Sequence, residues 1–450
     1  MNRTGKSGYL WDKLMLSIWF VPFAMSTCAV ILAIIMLEID FRFGYSPLGW
    51  ASFLRIDAAG VRQVVSVISG AMMTITGVVF SVSVVSLALA SNQFGPKVLR
   101  NYLQDTSNKL VLGLFVATFI YALLILVSVD TGQGGFVPIY SMLVSLLLTV
   151  LATGGLIIYI HNISTAIQAD QVIALIGEEL SNAIDNMLES VENKDNSKSP
   201  PSRQDCLLQK QGLKKFSICS PKSGYIQVID YNDLASFAAE HNALLEFDRR
   251  PGHFVIEGSP IGSCYINEEC SNERLNQILS RIIVGRQRTP VQDIEFSIAQ
   301  LLQIALRALS PGINDSLTAI ACIDWLSAAL GRMAGCEFPS SCFSDSTGVV
   351  RVSTNAFSFE GAVNAAFDPL RQSARGNEMA TIRLLEALER VIRVAKKADY
   401  CKVLLAKAEL VHADAIESIP CESDRESVSE CLTRCQSAFE DSEGILSDAS

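Results

Sequence analysis

Four long apolar stretches occupy the first third of the chain, at residues 16–37, 64–90, 110–129 and 136–160. The second has no charged side chain between Arg62 and Lys97. A bilayer core of about 30 Å is crossed by about 20 apolar residues in helical form. A backbone inside hydrocarbon must also satisfy its own hydrogen bonds. The pattern therefore predicts a four-helix transmembrane domain over residues 1–165. After it the period changes: Ile163, Ile167, Val172, Ile173, Ile176, Leu180, Ile184 and Leu188 recur at helical spacing. That stripe predicts an amphipathic connecting helix over 166–195. Lys, Ser, Pro and Asp then crowd together, which predicts a linker over 196–219.

Beyond the linker, residues 223–230 alternate like a strand and 233–243 read as a short helix. Two further strands, at 244–247 and 254–257, follow, with turns at Arg250-Pro251-Gly252-His253 and Gly258-Ser259-Pro260. Short strands between Pro and Gly turns predict a small β unit over 220–265. From 266 to 418 helices dominate. Residues 295–309 are strongly amphipathic and stop at Ser310-Pro311-Gly312. The next helix starts at Asn314 or Asp315, either of which can cap it. Residues 349–357 read as a strand pair, and 359–374, 378–398 and 401–417 as helices. An acidic, Ser-rich tail closes the chain over 419–450, and it is expected to lose order after Phe439. The expected fold class is an α-helical integral membrane protein with four transmembrane helices and a cytoplasmic α+β tail. That tail comprises a small barrel-sandwich-like β unit and a mainly helical domain.

Charge sharpens this picture. The net charge of -10 over 450 residues resides in the tail. An acidic tail excludes nucleic acid as a partner, because phosphate binding needs Lys and Arg to displace counterions. It excludes a polybasic membrane-surface patch as well. Arg3, Lys6 and Lys13 precede the first stretch, and Lys97, Arg100 and Lys109 follow the second. Arg42, Arg55 and Arg62 lie in the first loop, and residues 130–135 carry no Lys or Arg. Positive charge marks the cytoplasmic side, so both termini are expected there, with the first loop as the weakest support. Twelve cysteines are present, all but Cys28 in the tail, irregularly spaced and without a Cys-x-x-Cys pair. They read as reduced cytoplasmic thiols rather than a disulfide framework. The four histidines, His161, His241, His253 and His412, are far apart in the chain, so no metal site is expected. The first apolar run continues past Cys28 to Leu37, which makes it an uncleaved anchor rather than a signal peptide.

Three groups of residues are candidates for function. Ser66, Gly70, Thr74, Gly77 and Ser81 share one face of the second span. Small faces let membrane helices approach closely, and they also tolerate water along a pore, so both readings stand. Gly95 and Pro96 close that span, as a turn or as a gating hinge. Arg286, Arg288, Asp293, Glu295, Arg307, Asn314 and Asp315, with Gln300 and Gln303, form the most polar-dense stretch of the tail. It is either a ligand site that uses Arg288, Arg307 and the helix start near Asn314, or a network of ion pairs and caps. No Gly-x-x-x-x-Gly-Lys-[ST], Gly-x-Gly-x-x-Gly, Gly-x-Ser-x-Gly or His-Glu-x-x-His occurs. No catalytic residue, metal or cofactor is therefore assigned, and the chain is not expected to be an enzyme.

Several stretches carry a resemblance. They are Gly77-Val78-Val79-Phe80-Ser81, residues 87–100 (LALASNQFGPKVLR), 223–229, 250–260 (RPGHFVIEGSP) and, above all, 286–330. Together they resemble a bacterial family of predicted membrane proteins, domain of unknown function 2254, over most of the chain to about residue 410. The resemblance implies a four-span bacterial inner-membrane protein with a cytoplasmic tail, and it brings no activity. Gly224-Tyr225-Ile226 with residues 251–255 and Gly258 also resembles half of a lipoyl- or biotinyl-type barrel. No Lys lies between Ser223 and Gly262 for such a carrier to modify. Two functions compete: an oligomeric channel-like or passive transport protein with a regulatory tail, and a membrane-anchored scaffold or sensor. The expected partners are the lipid bilayer, further copies of the chain in a homo-oligomer, and a protein or small ligand held by the tail.

Overall fold

The computed structural model describes residues 20–43, 58–94, 106–130, 136–166, 168–192 and 212–448, the last range without 269, 337, 339, 340, 346 and 356. The hinge residues Gly95 and Pro96, the linker up to residue 211, and the basic residues before residue 20 lie outside it. The chain divides into two compact units between residues 172 and 173.

The first unit is helical. Helices α1 (Phe20–Phe43), α2 (Ala58–Phe94), α3 (Thr106–Ser128) and α4 (Ile139–Ala166) coincide with the four apolar stretches. α3 is the central element and packs on the other three. Its Phe115, Tyr121, Ala122 and Ile125 meet Ala29 and Ala33 of α1, Val61, Val65 and Met72 of α2, and Met142 and Ala152 of α4. Gly113 sets the closest approach, since a Cβ there would lie 2.6 Å from the Met25 sulfur. Several hydroxyl side chains are satisfied internally, as an apolar solvent demands, whereas the buried Asn108 Oδ1 of α3 has no partner among the described residues. Thr74, Thr76, Ser83, Thr118 and Thr149 donate to carbonyls one turn earlier in their own helices. Between helices, the Tyr159 hydroxyl donates to the Val79 carbonyl at 2.9 Å, and the Tyr121 hydroxyl to the Ser141 carbonyl at 3.1 Å. Asp40, near the end of α1, is buried. Its carboxylate accepts from the amides of Tyr140 and Ser141, both at 2.9 Å, and from the Ser141 hydroxyl. It thereby satisfies the exposed N–H groups that every helix start presents.

The second unit is α+β. Helix α5 (Ala169–Glu192) buries the predicted stripe Val172, Ile173, Ile176, Leu180 and Ile184. Two sheets follow. One has order β1-β5-β3-β8-β7, with β1 Lys214–Cys219, β3 Leu244–Phe247, β5 Pro260–Ile266, β7 Cys342–Ser344 and β8 Val350–Thr354. It is antiparallel except for the parallel pair β3 and β8. The other has order β4-β2-β6, with β2 Gly224–Ile229, β4 Phe254–Val255 and β6 Ile282–Gly285. Helices α6 (Tyr231–Glu240) and α7 (Asn272–Ser280) complete this part, around Ile218, Ile226, Phe247, Ile261, Ile278 and Val352. This arrangement corrects the barrel-like expectation. Strands from 282–285 and 342–354 enter the sheets, and β1 starts inside the stretch assigned to the linker. A parallel partner returns only after a long crossover, so periodicity can find β8 without revealing that it fills the edge of β3.

The helical part runs through α8 (Ile294–Ala308), α9 (Ser316–Ala334), α10 (Phe359–Ser373), α11 (Glu378–Val394), α12 (Ala398–Ser418) and α13 (Glu422–Asp448). The last helix corrects the expectation of disorder after Phe439. α13 packs on α11 and α12 and buries Val428, Cys431, Cys435, Ala438 and Ser442. Those five positions recur at three and four residues, a helical stripe hidden by an acidic, Ser-rich composition.

Among the described residues, five helices are long and apolar enough to cross a membrane: α1 to α4 and, unexpectedly, α9. The fifth is the least apolar and the most buried of them. Length and composition alone therefore do not yield the expected count of four.

Candidate functional site

The polar centre of the second unit forms where the turn after β3 meets the start of α8. Asp293 is the N-cap of α8 and accepts from the Phe296 amide at 3.2 Å. The same buried carboxylate takes a two-pronged contact from Arg288, at 2.7 and 2.8 Å. Such paired, charge-assisted bonds fix geometry as well as adding energy. Gly252 makes room for this carboxylate. It has a φ of +92°, and a Cβ on it would lie 2.3 Å from an Asp293 oxygen. The Arg-Pro-Gly-His turn thus requires glycine twice over, for backbone conformation and for space. Its Arg250 ion-pairs with Glu295 and lies over the Phe357 ring, 5.4 Å from the centroid. Gln292 docks the intervening loop on β2. Its amide accepts from the Ile229 N–H at 3.0 Å and donates to the Ile229 carbonyl at 3.2 Å, as a neighbouring strand would.

Of these residues, Arg250, Gln292, Asp293, Glu295 and Phe357 border a cavity of about 520 Å³, within the range that small-molecule sites occupy. Arg250, Glu295 and Asp230 supply charge; Tyr231, Phe343 and Phe357 supply rings; Met187 brings in the end of α5. Tyr231 and Phe343 stack with centroids 4.7 Å apart. Burial raises the Tyr231 hydroxyl above its ordinary pKa, against the opposing charge of Arg250. His253 ends the turn with its Nδ1 buried and without a partner among the described residues. Burial first, then the charge of Arg250, lowers its pKa.

The polar residues singled out in the sequence divide between the two ends of α8. Arg288, Asp293 and Glu295 are gathered at its start, and Arg286 is exposed nearby without an ion pair among the described residues. Arg307 lies in its last turn, and Asn314 and Asp315 lie beyond its other end. A 15-residue helix is about 22 Å long, so Arg288 and Arg307 cannot hold one ligand together. The proposed pairing is corrected on that ground. Asp315 caps α9 by accepting from Thr318 N at 3.1 Å, and Asn314 adopts a left-handed φ of +50° in the turn before it. Gln300 is buried on α8 and Gln303 is half-buried. Sequence reasoning passed over Arg250, Tyr231, Gln292 and Phe357: Tyr231 begins α6, and the others lie in loops far apart in the chain. A glycine between Pro251 and His253 was the one local signal of a crowded turn.

In the first unit, Ser66, Gly70, Thr74, Gly77 and Ser81 all lie on the exposed side of α2. A Cβ on Gly70 or Gly77 would meet nothing within 4 Å. The opposite face, through Val61, Val65, Ile68, Met72 and Val79, holds α2 on the bundle.

Several apolar helices followed by a large α+β unit define a membrane protein with a substantial folded domain. The chain belongs to the DUF2254 family of predicted membrane proteins, whose family model matches residues 16–390. An uncharacterized protein of Mycobacterium tuberculosis is 28% identical over 386 residues, covering 84% of this chain and 73% of that protein. An uncharacterized protein of Mycobacterium bovis matches to the same extent. No solved structure matches the chain. Family and apolar helices together put the chain in contact with a lipid bilayer.

Proposed function

We propose that α1 to α4 cross a bacterial inner membrane with both termini in the cytoplasm, and that several copies meet through α2 around a passive conduction path. The second unit then serves as a cytoplasmic regulatory domain. The observation behind this reading is the outward small-residue face of α2. Gly, Ser and Thr gain less than Leu or Ile from contact with lipid, whereas they let helices approach or water pass. α9 is read as a soluble core helix. Its Asp324 pairs with Arg383 at 2.7 Å and Arg390 at 3.2 Å, and a charged side chain at a bilayer centre costs about 2.5–3.5 kcal/mol. No catalytic role is assigned to any residue. In planar bilayers the purified protein is expected to carry an ion current that Gly77→Leu abolishes, because the added side chain narrows the shared axis.

The second reading, a membrane-anchored sensor or scaffold without transport, draws on the cavity beside Arg250 and Glu295. The same recording separates the two. A current unchanged by Gly77→Leu removes the role given to α2, and a wild-type protein that stays closed to Na⁺, K⁺ and Cl⁻ favours the sensor.

A further inference from the structure

A second cavity, of about 440 Å³, lies beside the first and shares Thr354, Asn355 and Phe357 with it. Phe338, Phe357, Phe359 and Tyr400 bring rings to its walls, Phe359 being almost wholly buried. Phe359 and Tyr400 stack with centroids 4.3 Å apart. Phe338 stands steeply against both, at 6.3 and 6.2 Å, and Phe357 lies 6.1 Å from Phe338. Glu360 and Asp399 are the charged residues of the lining, and no Lys or Arg is among its described members. Both carboxylates are exposed, and neither forms an ion pair with a described residue. Each occupies the first turn of its helix, α10 or α12, where the helix dipole favours an acid without any ligand. Their position on the rim of a ring-walled hollow is what selects a ligand charge. Aromatic faces are negative and attract cations, and the two carboxylates add to that potential. The Lys397 ammonium lies 5.7 Å from the Tyr400 centroid and the Arg250 guanidinium 5.4 Å from that of Phe357, so cations of the chain itself already use two of these rings.

We propose that this cavity binds a small organic ammonium ion, of the methylated or quaternary kind, between its aromatic walls and the carboxylates of Glu360 and Asp399. The group can arrive free or as the headgroup of a lipid. A quaternary ammonium is too weakly hydrated to be held back by water, and its methyl groups fill the apolar walls while its charge faces the rings. An anion is repelled, and a neutral molecule of the same shape loses the electrostatic part of the attraction. This assignment is independent of conduction by α2.

The test uses full-length protein in a neutral detergent without choline lipids, titrated with choline and with its uncharged isostere 3,3-dimethyl-1-butanol by calorimetry. Choline is expected to bind at least about tenfold more tightly than the isostere, the scale of one desolvated cation–aromatic contact. Tyr400→Leu is expected to weaken choline about tenfold, Tyr400→Phe to preserve it, and Glu360→Gln with Asp399→Asn to weaken it severalfold. Equal binding of choline and the isostere, or no choline binding, overturns the proposal. The wild-type comparison decides even if a variant fails to fold. After reconstitution, loss of choline binding in phosphatidylcholine vesicles but not in phosphatidylglycerol vesicles identifies the lipid headgroup as the ligand. Equal choline binding in both identifies the free ion.

Discussion

Gly252 is the residue on which the polar centre of the second unit depends most directly. Alanine there places a methyl group in the Asp293 carboxylate and strains a backbone at φ +92°. Strain of that kind costs about 1–3 kcal/mol, and the clash with a buried ion pair adds to it. Gly252→Ala is therefore expected to lower the midpoint of thermal unfolding by several degrees, whereas alanine at the uncrowded Gly312 serves as the tolerated control. His253, one residue later, makes stability depend on pH. Burial and Arg250 hold its pKa below the ordinary histidine value, with Glu295 and Asp293 opposing and Arg249 assisting. The unfolded chain then takes up the proton first as pH falls. The contribution of His253 is fully present above the unfolded pKa of about 6.5 and is lost as pH falls toward the folded value. Between pH 7.5 and 5.5 the wild type is expected to lose more thermal stability than His253→Gln; identical losses contradict the assignment. At this scale the sequence was legible as density rather than geometry. Arg288, Asp293 and Glu295 are close in the chain and meet. Arg307 is also close in the chain but is carried away by a whole helix, and Arg250 reaches Glu295 only through the fold.

Elements were easier to read where one property dominated. Long apolar runs identify α1 to α4 because a lipid solvent leaves few alternatives to a helix. The stripe of α5 was equally plain. The β region was not, since β3 finds its parallel partner β8 about a hundred residues later. α13 was missed for a different reason. Its average composition is acidic, and only the spacing of Val428, Cys431, Cys435, Ala438 and Ser442 shows the buried face. The Ser442 hydroxyl donates to the Ala438 carbonyl at 2.7 Å and lies 3.3 Å from the Ile392 carbonyl of α11. Ending the chain after Phe439 is therefore expected to destabilise the protein by about 1 kcal/mol or more in urea unfolding, the value of a buried hydrogen bond. A truncated protein as stable as the full chain contradicts that packing.

For the molecule as a whole, the decisive asymmetry is on α2. One face buries Val61, Val65, Ile68 and Met72 within the bundle, and the other presents Ser66, Gly70, Thr74, Gly77 and Ser81 outward. The proposed conduit requires another copy of the chain against that second face. Cysteine crosslinking in native membranes tests this most directly. Cys28, Cys219 and Cys421 are exposed thiols, so the background replaces these three, and Cys206, with serine. Thr74→Cys places a thiol on the small face, and Val150→Cys places one on the exposed side of α4, where Val150 is 67% exposed. Under a membrane-permeant oxidant, Thr74→Cys is expected to form a covalent dimer while Val150→Cys and the background remain monomeric. A monomeric Thr74→Cys, or equal dimer from both variants, contradicts the account.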